Sequence, residues 1–111
     1  MEGWSVEISA TTNRPYFRIS GCCDSPLGQA LSLDTWYHYV GVYKPGVGNT
    51  LYINGVYFGT TSGSGAITHS TNSLKIGNYN ADLRLFGDIR DVRIYNRALD
   101  IFEINQLYNA K

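Results

Sequence analysis

The stretch "LYINGVYF", Leu51 to Phe58, decides how the chain reads. Asn54-Gly55 sits between two runs of aliphatic and aromatic residues. A two-residue type I′ turn needs positive φ at both central positions, which Asn and Gly tolerate best, so this is the strongest short hairpin signal available. The expected register follows. Ile53 opposes Val56, Tyr52 opposes Tyr57 and Leu51 opposes Phe58. Because opposed residues share a face, Leu51, Ile53, Val56 and Phe58 are expected on a core face and Tyr52 and Tyr57 on the other.

Working outward, "WYHYVGVYK" (36–44) carries large residues at both parities: Trp36, His38, Val40 and Val42 against Tyr37, Tyr39 and Tyr43. Such a strand is covered on both faces, or faces a core on one side and a tyrosine-lined surface on the other. In "WSVEISA" (4–10), Trp4, Val6, Ile8 and Ala10 alternate with Ser5, Glu7 and Ser9, the period of a half-buried strand. "TTNRP" supplies turn chemistry, and "YFRIS" then turns Phe17 and Ile19 inward with Tyr16 and Arg18 outward, completing an expected first hairpin.

"SGSGAITHSTNS" reads as a loop and "LKIGNY" (74–79) as a short strand. In "GDIRDVRIYNRAL" (87–99) Val92 and Ile94 share a parity that Ile89 does not, so the alternation slips near Arg90-Asp91, as at a bulge or in a strand flanked on both sides. The period then changes. Ile101, Ile104, Leu107 and Tyr108 fall on one helical face, and Asp100 followed by Glu103 fits a capping box. Short strands at regular spacing, hairpins and one closing helix predict an all-β fold: an antiparallel β-sandwich with a short C-terminal α-helix, residues 1–111 forming a single domain.

Composition narrows the function. Charged residues are 16% of the 111 and the formal net charge is zero, against roughly 25% charged in an average soluble domain. Nothing favours nucleic acid or an anionic membrane surface as a partner. No apolar run reaches the roughly 18 residues of a membrane span, and "MEGWSVEISA" lacks the basic flank and apolar stretch of an export signal. Cys22 and Cys23 are adjacent, with Cα atoms about 3.8 Å apart, short of the roughly 4.4–6.8 Å of an ordinary disulfide. Two thiols are the expectation, a vicinal disulfide or a bond to another chain the alternatives. His38 and His69 are isolated from each other and no C-x-x-C spacing recurs, so zinc is not expected.

Three segments in order, "TWYHYVGVYK", "LYINGVYFGTT" and "LKIGNY…LFGDIRDVRIYNRALDIFEINQLY", resemble the laminin-G-like branch of the concanavalin A-like lectin/glucanase jelly rolls, over roughly Leu33 to Tyr108. The resemblance implies a jelly roll and makes the 87–99 segment scaffold: a late strand and the approach to the closing helix, with Asp88, Arg90, Asp91 and Arg93 as a structural ion-pair cluster. It also implies strands upstream of "GWSVEIS" that pair with the late ones. The chain starts partway through that pattern, so homo-oligomerisation through uncovered sheet edges is an expectation. Members of the family are commonly extracellular; the sequence assigns no compartment.

Three classes of function are open to such a chain: enzyme, binding module and assembly module. Glycoside hydrolysis needs two flanking carboxylates. Glu2, Glu7 and Glu103 lack a suitable Asp neighbour and the E-x-D-x-x-E pattern of the related glucanases, so no catalytic residues are assigned and no enzyme is expected. No G-x-S-x-G elbow occurs, and Gly63-Ser64-Gly65 lacks the glycine pattern of a phosphate cradle. Calcium, which some relatives bind, wants six to eight oxygens. Asp24, Asp34 and Asp82 are scattered, so no metal or other cofactor is assigned. The preferred reading is a non-catalytic, lectin-like module that binds carbohydrate. Sugars present apolar C–H faces bordered by hydroxyls and call for aromatic platforms with polar rims. Tyr52 and Tyr57 form the expected platform, Tyr37 and Tyr39 extend it, and Asn78, Tyr79, Asn80 and Asp82 supply hydrogen bonds. The alternative is an assembly module that binds itself or a protein partner.

Overall fold

The computed structural model describes residues 3–68, 71–77, 85 and 87–110. Among the described residues, six strands and one helix run in the order β1 (Trp4–Ile8), β2 (Pro15–Ile19), β3 (Cys23–Asp24), β4 (Tyr39–Lys44), β5 (Gly48–Ile53), β6 (Val56–Thr61) and α1 (Ile101–Asn109). They make two antiparallel three-stranded sheets, β1-β2-β3 and β4-β5-β6. Both expected hairpins form. β1 pairs with β2 in the register Val6 to Phe17, and Asn54 and Gly55 take φ of 51° and 78°, as the type I′ turn requires. Asn54 does more than turn the chain. Its Oδ1 accepts the His38 N–H at 2.9 Å while its own N–H donates to the His38 carbonyl at 2.8 Å, tying the turn to the segment before β4.

The sheets meet through Phe17 and Ile19 of β2 and Leu51 and Ile53 of β5, all buried. Asn49, fully buried in β5, crosses the interface. Its Nδ2 donates to the Phe17 carbonyl at 2.6 Å and to the Cys23 carbonyl at 3.0 Å. Such charge-neutral ties are worth little in isolation but are costly to leave half-made inside a core.

Several expectations are corrected. The apolar face of β1 is not buried: Trp4 is 36%, Val6 53% and Ile8 37% exposed, because the second sheet covers β2 and β3 and stops short of β1. In the β5–β6 hairpin Leu51 opposes Gly59, not Phe58. A bulge inserts Phe58 because Pro26 lies where a side chain at the inward Gly59 position would project. Phe58 therefore leaves the core, at 41% exposed; Val56 opposes Ile53 as expected and is nonetheless 66% exposed. Neither the described part of "LKIGNY" nor residues 87–98 form a strand; Ile89, Val92 and Ile94 are exposed and Asp91 takes a φ of 55° at the place where the alternation slips. Cys22 and Cys23 are joined, not free. Their Cα atoms lie 3.7 Å apart, below the range of an ordinary disulfide, and the bridge is the small ring that neighbouring cysteines close through one peptide bond.

α1 forms where its period predicts. Ile104 is fully buried, with Leu107 and Tyr108 half-buried beside it, and Tyr108 packs on the His38 ring at 5.8 Å. The capping box is complete: Asp100 Oδ1 accepts the Glu103 N–H at 2.9 Å and Glu103 Oε1 accepts the Asp100 N–H at 3.1 Å. Arg97 clamps the same Glu103 carboxylate with a two-pronged ion pair. The guanidinium and then the Asp100 N–H hold the Glu103 pKa down at about 2 from 4.5. A carboxylate depressed by folding adds stability that is complete above its unfolded value and lost as pH falls through its folded one. Helix order at residues 101–109 should thus persist at pH 4 and fade toward pH 2. A carboxyl NMR titration of Glu103 with a midpoint near 4.5 would contradict this.

No helix among the described residues is long and apolar enough to cross a membrane.

Candidate functional site

The outer face of the β4-β5-β6 sheet is set by register. Val40 opposes Tyr52, Tyr52 opposes Tyr57, and Thr50 opposes both Val42 and Thr60, so these side chains share the side turned away from β2. Tyr52 and Tyr57 meet edge to face with ring centroids 5.9 Å apart and planes at 76°, a favoured aromatic geometry. Tyr57 is 56% exposed and Tyr52 half-buried. The Tyr57 hydroxyl donates to Thr60 Oγ1 at 3.0 Å, and Thr60 Oγ1 lies 2.9 Å from Thr50 Oγ1. The result is an exposed Tyr57 ring with the half-buried Thr60 hydroxyl beside it, backed by Thr50, which is buried. The bulge at Phe58 keeps Thr60 on this face; without it Thr60 would fall on the inner face. Neither threonine was singled out from the sequence: Thr50 shares the face of Tyr52 by simple alternation, whereas the placement of Thr60 depends on the bulge.

Tyr37 and Tyr39 do not extend this surface. Tyr39 opposes Ile53, which places it on the inner face, and the two tyrosine rings stack on each other with centroids 5.9 Å apart and planes within 5°. The Tyr39 hydroxyl is buried with no hydrogen-bond partner among the described residues, and burial, followed by the nearby Tyr37, pushes its pKa up to about 12. The Tyr37 hydroxyl accepts the Ser32 N–H at 2.9 Å, and hydrogen bonding from Ser32 lowers its pKa. Asn78, Tyr79, Asn80 and Asp82 lie outside the described residues.

Among the described residues, the Glu7, Asp24 and Glu103 carboxylates are engaged. Glu7 accepts from Ser5 Oγ at 2.6 Å and Tyr16 Oη at 3.0 Å, with Arg18 at 3.8 Å. Asp24 receives Arg18 at 3.0 and 3.3 Å, and Glu103, ionised at neutral pH, holds no proton to give a leaving group. Within the 87–99 segment the cluster is thinner than expected. Arg90 reaches Asp91 at 3.9 Å, and its guanidinium stacks 4.6 Å from the Trp36 ring. Among the described residues no group of three or more His, Cys, Asp or Glu side chains is placed to hold a metal ion. A shallow concavity at the β2–β3 turn, lined by Arg18, Ile19, Ser20, Gly21, Asp24 and the Cys22–Cys23 bridge, is the other feature sequence reasoning passed over.

Two sheets facing through Phe17, Ile19, Leu51 and Ile53, closed by a capped helix, agree with a family comparison in which the laminin-G-type model of the concanavalin A-like lectin/glucanases superfamily matches residues 2–105. The chain belongs to this superfamily. Its laminin-G-like domains are generally non-catalytic, and often bind carbohydrate or proteins. Among solved structures, the chain is similar to residues 221–444 of an S-layer domain-containing protein from Clostridium thermocellum ATCC 27405, with a TM-score of 0.53 and 21% identity. That match covers 97% of this chain and 64% of the other, so the chain spans less than two thirds of the structure it resembles, and the likeness is one of fold. No curated protein matches the sequence.

Proposed function

We propose that this laminin-G-like domain is a non-catalytic recognition module that binds carbohydrate on the outer face of β4-β5-β6. The observation that carries this reading is the exposed Tyr57 ring, braced edge-on by Tyr52 and bordered by the half-buried Thr60 hydroxyl. A braced ring offers a flat apolar surface at little cost in side-chain entropy, and the adjacent hydroxyl can both donate and accept, which matches a sugar's C–H face and its hydroxyl edge. No cofactor is part of the proposal.

The test is affinity measured by calorimetry for a glycan that the chain binds. Tyr57→Ala should weaken binding by about tenfold or more, the loss expected of a central aromatic anchor. Its melting temperature should stay close to that of the parent, because the ring is mostly exposed. Tyr57→Phe should keep most of the affinity. Unchanged binding in Tyr57→Ala and Tyr52→Ala alike would remove this face from the account.

A second reading, an assembly module, is favoured by a separate observation: the exposed apolar residues Trp4, Val6 and Ile8 of β1 with Val56 and Phe58 of β6. On β1 the three side chains share one face of a single strand, the kind of contiguous apolar surface that marks an interaction site.

A further inference from the structure

β1 lies at the edge of its sheet, with β2 on one side. The Gly3 carbonyl accepts from Ser20 N and the Ser9 N–H donates to the Arg14 carbonyl, both toward β2. By the two-residue period of a strand, the backbone groups of Ser5 and Glu7 point the same way, and those of Trp4, Val6 and Ile8 point to the open edge. The three residues whose backbone faces outward are the three whose side chains form the uncovered apolar face.

We propose that β1 pairs antiparallel with β1 of a second copy of this chain about a two-fold axis through Val6, an inference that rests on the assembly reading above. The strand is symmetric in residue type about Val6: Trp-Ser-Val-Glu-Ile. In this register Val6 meets Val6, Trp4 meets Ile8 and Ser5 meets Glu7. Every outward N–H of β1 then finds an outward carbonyl, and apolar residues oppose apolar ones on the inner face. Other centres do worse. An axis at Glu7 sets two carboxylates against each other, one at Ser5 leaves Ile8 without an opposite strand residue, and axes at Trp4 or Ile8 run off the end of the strand. Zero net charge leaves no long-range repulsion to overcome.

A closed two-fold dimer also removes the open β1 edge, which otherwise invites unlimited pairing.

Sedimentation and light scattering on the full chain give the first readout, with a mass near twice 12.4 kDa expected. Val6→Pro removes only an outward N–H and spares the β1–β2 ladder, as proline on an edge strand can. It should raise the dimer dissociation constant by roughly tenfold to a hundredfold, the loss of two symmetric backbone bonds. Should Val6→Pro fail to fold, Val6→Lys puts like charges on the axis and serves the same end. Val6→Cys should cross-link to its own copy on mild oxidation, mapped by non-reducing peptide mass spectrometry. A monomer at every concentration overturns the assembly reading and this pairing with it. A dimer indifferent to these substitutions, with no Val6→Cys cross-link, overturns the register while leaving assembly in place.

Discussion

Replacing Asn49 with leucine should lower the stability of the fold by about 2–4 kcal/mol, although leucine matches the volume and the site is apolar around it. Asn49 is fully buried, and its Nδ2 is the donor shared by the Phe17 carbonyl of β2 and the Cys23 carbonyl of β3. Leucine leaves both acceptors without that donor, the Phe17 carbonyl in buried surroundings and the Cys23 carbonyl in part-buried ones. The Phe17 carbonyl keeps a bond from the Ser25 N–H at 2.8 Å, which limits the loss there, so most of the cost falls on Cys23 and on the alignment of the two sheets. Asn49→Asp should be worse than Asn49→Leu at neutral pH, because a carboxylate would face two carbonyl oxygens with no proton to offer them. Urea denaturation of the three proteins checks the order. A leucine variant as stable as the parent would mean that the tie across the sheets carries no weight.

Gly41→Ala should cost about 3 kcal/mol, a large share of the roughly 5–15 kcal/mol that holds a domain of this size together. Gly41 of β4 faces β2, and a Cβ added there would overlap the Phe17 ring. Phe17 is itself buried, so the ring cannot swing into solvent, and the sheets would have to part to admit one methyl group. Gly65→Ala, where an added Cβ meets nothing within 4 Å, is the matched control and should be near neutral. Shortening the obstacle should rescue the variant: Gly41→Ala combined with Phe17→Leu should be more stable than the sum of the two single losses. Additive losses would place the sheets farther apart at this point than described.

Much of this fold was legible from local chemistry. The type I′ hairpin at Asn54-Gly55, the β1–β2 hairpin and the capping box at Asp100 and Glu103 all follow from signals a few residues long, and all three form. What failed to follow was coverage. Alternation shows which side chains share a face of β1, but whether another sheet lies over that face is a tertiary fact, and here the second sheet stops above β2. The bulge at Phe58 was hidden for the same reason: its cause, Pro26, is remote in sequence.

The candidate surface divides in the same way. Tyr52 opposite Tyr57 was fixed by the turn alone, whereas Tyr37 and Tyr39 were misplaced because a strand with large residues at both parities does not declare which of its faces is inward. The vicinal bridge at Cys22–Cys23 could not be read from spacing, since neighbouring thiols and a neighbouring disulfide occupy the same stretch of sequence.

The most direct test of the recognition reading is a glycan-array screen of the purified, folded chain, with calcium in the buffer and the fold verified by circular dichroism on the same sample. The account predicts selective binding to a defined class of glycan that is lost in Tyr57→Ala. A folded sample that binds no glycan on the array would contradict it.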